Sequence, residues 1–424
     1  MSVLPIRFAP APPVEAVLTT RVKPAAAWEQ VLVTLWIFCA FIQFPGNSLV
    51  LYPCALLLVL IFIHYSEFTI PLALKCSILL LIPVMTILSF GWSTVPGEAM
   101  RLGILMVVNF VAMIAIATRL TRRQIIRCIF FAGALTVIYL APYSQYLGID
   151  TALGSKNYLS IRMMLTAFAA LAVAYDSEEP YPLRFAAVGI GAVAIYFCYL
   201  GNSATSLALT LGGALILTAM WVVWQPASRI RHLRSFVVFS GITALVGLIM
   251  ALLSLPDNSI VDDVLGAFGK DATLTNRTIM WEAGNRVADE KPLFGHGMNS
   301  FWQPNVGAAQ TLNEIDHRAA GTKHSFHNVY IETRVALGYV GLTLFCIQLA
   351  WSMLFNLRAW FQSRGMPASF FLLTGMMIFV TSFTESYLLG AFEAMVMLYY
   401  LGGITALALP YHNGIRQRVL LRPA

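Results

Sequence analysis

His324 and His327 stand three residues apart in TKHSFHNVYIETRVALGYVGL (322–342), where a polar segment gives way to a long apolar one. A pair at i, i+3 can share a helix face and hold a metal, but metal sites take three or four ligands. Asp316 and His317 are further donors, yet nothing in the sequence fixes their distance, so no metal is expected. A histidine at a helix N-terminus, kept neutral by the helix's partial positive charge, can instead take a proton from a sugar hydroxyl. His327 is the candidate base, with Ser325 as candidate helix N-cap, and His324 is a candidate substrate contact. Arg334 follows at i, i+7 on the same helical face. It is either a snorkelling cation or one that meets an anionic headgroup.

Other cations stand at the mouths of predicted helices: Arg101, Lys156 and Arg162. Each suits topology or packing as well as an anionic ligand. Grouped, they could neutralise a departing phosphate. Arg277 opens TLTNRTIMWEAGNRVADEKP, which reads as an amphipathic helix ended by Pro292. Ile279, Met280, Ala283 and Val287 form its apolar side, and resting on lipid headgroups is the plain alternative for the helix as a whole. Gly295 and Gly297 in the following PLFGHGMNSFW permit a tight turn. Glu385 is an acid near a helix end, able to pair with a cation or orient a hydroxyl.

These residues need elements to hold them. The chain of 424 residues is 58% hydrophobic and 11% charged, with a mean hydropathy of +0.74. Soluble domains run near 25% charged, so the fold class is an all-α polytopic membrane protein. Twelve apolar runs are candidate spans: 27–44, 48–64, 70–90, 100–117, 126–146, 159–175, 184–200, 204–224, 236–255, 327–355, 369–388 and 391–409. A long polar loop, 256–326, falls between the ninth and tenth. The expected organisation is a disordered N-terminus (1–26), a bundle (27–255), the loop (256–326), three further spans (327–409) and a basic tail (410–424).

Arg and Lys cluster around 119–127, 229–234, 358–364 and 416–422. By the positive-inside rule this puts both termini in the cytoplasm and the long loop outside. The acidic DSEEPYPLR (176–184) dissents, but acidic residues weigh little in that rule. The net charge of +7 is spread over short loops, with no aromatic-interleaved basic patch to suggest nucleic acid. All six cysteines fall in apolar stretches without a CxxC, which speaks against disulfides and zinc. No internal repeat is evident, against an inverted-repeat transporter. P-loop, GxGxxG, GxSxG and HExxH motifs are absent.

Four stretches together resemble the O-antigen ligase and Wzy-type polymerase family, especially its exopolysaccharide polymerase branch. LSFGWSTVPGEAMR (88–101) looks like the family's early outer loop ending in Arg. GSKNYLSIRMML (154–165) looks like its Gly-x-x-Lys-Asn segment. TNRTIMWEAGNRVADEKPLFGHGMNSFW (275–302) looks like its Arg-x-x-x-Trp helix followed by Pro-x-x-Gly-x-Gly. SFHNVYIETRVALGYVGL (325–342) looks like its His-Asn-x-Tyr-Leu helix start. Departures are Ile331 in place of Leu and Arg334 at a position outside the motif.

The resemblance implies a glycosyltransferase of the bacterial inner membrane. It would work on the periplasmic face with an undecaprenyl-diphosphate-linked glycan donor, without nucleotide sugar, cofactor or metal. The acceptor would be lipid-linked or lipid A-core, and a chain-length regulator is a possible partner. His327 matches the family's base. Arg277, Arg101 and Lys156 match its diphosphate binders. Polymerase and ligase both fit, with the 275–302 stretch leaning toward polymerase. A lipid-linked sugar flippase or transporter, or a non-enzymatic scaffold, are the readings of another class.

Overall fold

The structure is a computed structural model. It describes residues 14–20, 22–147, 155–224, 277–363, 365–413 and 415–421, with isolated positions between 230 and 243. Apart from one terminal ribbon, the described elements are helices. Among the described residues eight helices are long and apolar enough to cross a membrane. A ninth arises if the bent pair Ser66–Lys75 and Ser77–Gly91, angled by 75°, counts as one span.

The twelve predicted runs divide accordingly. Eight appear as those long helices, and 70–90 is the bent pair. The runs beginning at 27 and 369 appear as the shorter helices Ala27–Phe41 and Met366–Thr381. The run 236–255 falls almost wholly outside the described residues. Hydropathy sums do not reveal a bend, which is why 70–90 looked continuous.

We number the helices in chain order: α1 (Ala27–Phe41), α2 (Asn47–His64), α3 (Ser66–Lys75), α4 (Leu81–Leu88), α5 (Pro96–Arg119), α6 (Arg122–Leu140) and α7 (Lys156–Tyr175). There follow α8 (Tyr181–Leu200), α9 (Ala204–Ala219), α10 (Arg277–Glu290), α11 (Gly307–Ile315), α12 (Val329–Gln362), α13 (Met366–Thr381) and α14 (Ala394–Asn413). The bundle centres on α7, which packs against α6, α8 and α9 and has 83% of the residues in its most apolar stretch buried. Its small residues, such as Ala167, Ala169 and Ala170, let neighbouring backbones approach closely. Within the stretch expected to be without structure, strand β1 (Val14–Thr20) pairs antiparallel with β2 (Ile415–Leu421). Both ends of the described chain therefore lie on one side of the bundle.

The long loop is not a simple connector. Its described part holds α10 and α11, and these build a second small core of Met280, Ala288, Phe301, Trp302, Leu312, Phe326 and Val335. Met280 is buried, but Ile279 is 44% exposed, so the buried face of α10 is rotated from the one its sequence suggested. That face packs on α12.

The joint between this outer unit and the bundle is a broken helix. Gly338 in α12 has φ 67° and ψ −166°, a backbone region that is essentially glycine-only. A regular helix would bond Tyr339 N–H to Val335 O and Val340 N–H to Ala336 O. Here Tyr339 N–H donates to Pro292 O (2.8 Å) and Val340 N–H to Leu293 O (3.2 Å). Val335 O accepts from His296 N–H and Ala336 O from Gly297 N–H, both at 2.9 Å. The turn 292–297 is thus spliced into the helix, and all four orphaned backbone groups are satisfied. Near a bilayer each unsatisfied group would cost several kcal/mol. Sequence alone predicted one helix from 327; its polar start is instead a separate half-helix, 329–337.

A Cβ on Gly338 would lie 2.3 Å from Leu293 C and O. Gly338→Ala is expected to destabilise the protein by about 3 kcal/mol or more through clash and strain. Gly97→Ala, with nothing within 4 Å of the added Cβ, is the control. Thermal unfolding in detergent reads the difference, and equal melting of the two variants would contradict the splice.

Candidate functional site

Three chain segments converge on one carboxylate carried by a fourth. Glu385, in the connection between α13 and α14, is 5% exposed. Its Oε2 lies 3.1 Å from His327 Nδ1. Its Oε1 accepts from Arg277 Nη2 at 3.0 Å and from Asn157 Nδ2 at 2.9 Å. Arg277 also donates through Nη1 to Thr384 O at 2.7 Å, so its guanidinium bridges two adjacent residues. Local structure delivers each group: Arg277 begins the described α10, Asn157 sits in the first turn of α7, and His327 lies just before α12.

His327 is not in the helix. The N-cap of α12 is Asn328, whose Oδ1 accepts from Tyr330 and Ile331 N–H, in place of the predicted Ser325. His327 adopts φ 50°, a left-handed backbone that Asn and His tolerate better than most residues. This turns the imidazole toward Glu385 and out of the face shared with Arg334, so the i, i+7 argument does not apply.

Burial alone would raise the Glu385 carboxyl. The hydrogen bond and charge of His327, together with Arg277, outweigh it and hold the group below the usual carboxylate range. An ionised carboxylate only accepts hydrogen bonds. The His327 proton that faces Glu385 is therefore assigned to Nδ1, which makes Nε2 the nitrogen that exchanges a proton with the cavity side. About a fifth of the His327 side chain stays exposed.

Beside this cluster lies a cavity of about 200 Å³ lined by Ser300, Trp302, Lys323, His324, Ser325 and Ser386, among others. The His324 ring packs edge-on to His327 with centroids 5.1 Å apart. Its Nε2 lies 3.0 Å from Asp316 Oδ2, yet out of line for a hydrogen bond. Burial, then the nearby Arg318 and His327, push His324 down to about 4. Glu332 closes the cavity floor, accepting from Trp302 Nε1 (3.0 Å) and Phe326 N–H (2.9 Å).

The sequence-predicted residues thus separate. His327, Arg277 and Glu385 meet directly, and His324 adjoins them. Lys156 is exposed beside Asn157, and Arg101 is exposed beside Leu102, a cavity-lining residue. Arg162 is fully buried in α7, ion-paired to Glu393 and packed on the Tyr158 ring at 3.4 Å. Arg334 is held by Asn285 Oδ1 at 2.9 Å and by Asp289, where it ties α12 to α10. Asn157 was missed as a site residue, although the Lys-Asn pair at a helix start marked the place. Among the described residues no cluster of three His, Cys, Asp or Glu side chains is placed to hold a metal.

Two comparisons bear on this arrangement. The family described as O-Antigen ligase (Wzy_C) matches residues 189–346, which include Arg277, His324 and His327 but neither Asn157 nor Glu385. The Exopolysaccharide production protein ExoQ of Rhizobium meliloti (strain 1021) is 29% identical over 354 residues, spanning 80% of this chain and 78% of the relative. A solved chain from a study titled "Structural coordination of polymerization and crosslinking by a peptidoglycan synthase complex" aligns with 14% identity and a TM-score of 0.37. That alignment covers 80% of this chain and 97% of the other, and a score so low carries no argument.

The site predicts two acid windows for stability. His324 stays neutral in the fold down to about 4, whereas its unfolded value is near 6.5. Between those values the unfolded chain binds a proton that the fold does not, so stability falls as pH drops. His324→Phe is expected to flatten that window. Glu385, depressed in the fold, contributes stability above its unfolded value near 4.5 and loses it as pH falls through its folded one. Glu385→Gln should flatten only that lower range. Melting temperatures across pH 3 to 8, roughly the titration range of these groups, check both; unchanged profiles would contradict the assignment.

Proposed function

From a match to the O-Antigen ligase family over residues 189–346 and a likeness to an exopolysaccharide production protein, we propose a membrane glycosyltransferase that joins lipid-diphosphate-linked oligosaccharides during surface polysaccharide synthesis. The observation that carries this reading is the convergence of His327, Arg277 and Asn157 on Glu385, beside a cavity at one end of the bundle. Transporter sites of the inverted-repeat kind lie near the bilayer midplane, which speaks against the flippase alternative.

In this reading an acceptor sugar hydroxyl attacks the anomeric carbon of the donor. His327 Nε2 takes the hydroxyl proton while Glu385 holds Nδ1–H and stabilises the imidazolium that forms. The bond between the anomeric carbon and the diphosphate oxygen breaks, and the electron pair leaves with the diphosphate. Arg277 supports the charge developing there, with Arg101 and Lys156 as further cations at the same helix mouths. Lys323 and Ser386 on the cavity wall offer contacts to sugar hydroxyls. The outer unit faces the periplasm, both termini face the cytoplasm, and the donor is an undecaprenyl diphosphate glycan. The likeness to an exopolysaccharide production protein favours polymerisation, with a second lipid-linked repeat as acceptor. The O-Antigen ligase match keeps transfer to lipid A-core as the second reading.

Reconstituted protein, supplied with a synthetic polyprenyl-diphosphate oligosaccharide and no nucleotide or added metal, is expected to lengthen the glycan. His327→Ala should lower turnover by about 10²- to 10⁴-fold, the usual contribution of a general base. Arg277→Ala should cost roughly 10²- to 10³-fold. Full activity in both variants would remove these residues from the site. An inactive wild type that moves labelled lipid-linked sugar across the bilayer would establish the flippase instead.

A further inference from the structure

At the opposite end of the bundle from His327, a cavity of about 290 Å³ lies between the α5–α6 connection, the start of α13 and the end of α14. Arg122 lines it and is 8% exposed. Its Nε donates to Thr405 Oγ1 at 3.0 Å and its Nη2 to Gly402 O at 3.2 Å. Its guanidinium also lies 5.7 Å from the Phe371 ring centroid. Every one of these partners is neutral.

The buried Arg119 and Arg162, and the half-buried Arg123 and Arg127 beside Arg122, are different. Arg119 is paired with Glu29 and Arg162 with Glu393. Arg123 is paired with Asp176 and Glu178, and Arg127 with Glu179. Among the described residues Arg122 has no carboxylate partner, and no acidic residue lines its cavity. A guanidinium cannot shed its proton to escape the cost of burial, and a buried charge without a counter-charge is strongly destabilising. The remaining wall combines Arg123, whose charge is already matched by Asp176 and Glu178, and the polar Thr121, Ser363, Thr405 and His412 with apolar Leu120, Pro367, Ala368 and Leu409. Such a lining suits a small anionic group with an apolar neighbour.

We propose that this cavity binds a phosphate-bearing anion, with Arg122 as its principal counter-charge. A phospholipid headgroup at that membrane face and free phosphate share the chemistry. The site is separate from the His327 cluster and stands whether or not the transferase reading does.

The test uses the full chain in nanodiscs of phosphatidylcholine, with and without phosphatidylglycerol, and in detergent with and without inorganic phosphate. Melting temperature and lipid retained in native mass spectrometry are read for wild type and Arg122→Gln. Wild type is expected to be stabilised by phosphatidylglycerol or by phosphate, whichever is the source. Arg122→Gln should weaken that binding at least roughly tenfold, the scale of a lost charge-assisted hydrogen bond. If only phosphate acts, the source is a free anion; if only the lipid acts, it is a headgroup. Should the variant fail to fold, photoactivatable phosphatidylglycerol and a photoactivatable phosphate ester on wild type decide. Crosslinks at 120–123, 365–368 or 409–412 support the site, and crosslinks only elsewhere overturn it. No response of wild type to either anion, or an equal response in Arg122→Gln, would also overturn it.

Discussion

A helix interrupted at Gly338 governs how this protein is put together. The interruption leaves two carbonyls and two amides without helical partners, and the turn 292–297 supplies all four. Because those bonds are backbone bonds, they fix register as well as proximity. The outer unit is thereby keyed to the bundle at a depth that side-chain packing alone would leave loose. A matching constraint acts from the other side: a Cβ on Gly295 would lie 2.6 Å from Ala336 C and O. Arg334 reinforces the joint through Asn285 and Asp289.

Given that joint, half-helix 329–337 presents its N-terminal end, and with it His327, to the connection that carries Glu385. Val329 N–H bonds Ser382 O at 3.1 Å, and Tyr330 Oη lies 3.0 Å from Ser382 Oγ. The two segments holding His327 and Glu385 are thus stitched together next to the site. On the far side of that connection, Arg162 and Glu393 pair in the interior, with Tyr387 near the guanidinium. Glu385 is therefore braced between two fixed points. A carboxylate so placed selects the imidazole tautomer and holds Arg277 with a single group.

How much of this could be read in the sequence follows from what kind of signal each part leaves. Apolar runs report spans well, since burial in lipid demands length and composition. They report a bend poorly, as α3 and α4 show, because a bent helix is as apolar as a straight one. His327, Arg277 and Glu385 were recognisable as polar groups at helix mouths, where charge is costly without a purpose. Their meeting was not, because Arg277 and Glu385 are 108 residues apart and no local period links them. Gly295 looked like an ordinary turn residue, and Gly338 lay inside an apolar run read as one span. Only the fold shows that a Cβ on Gly338 would meet the backbone at Leu293 and Phe294, and one on Gly295 the backbone at Ala336 and Leu337. Arg162, Arg334 and Arg277 carried the same sequence signal, yet they pair with different carboxylates, Glu393, Asp289 and Glu385. A cation at a helix mouth does not announce which carboxylate it will find.

The central claim is that His327 acts through its bond to Glu385. A double-mutant cycle on glycan transfer, using His327→Ala, Glu385→Gln and the pair, tests it most directly. If Glu385 serves the base, removing it after His327 is gone should cost much less than removing it from wild type, with a coupling on the order of 1–3 kcal/mol. Losses that simply add in the double variant would show that the two residues act independently, and would contradict the account.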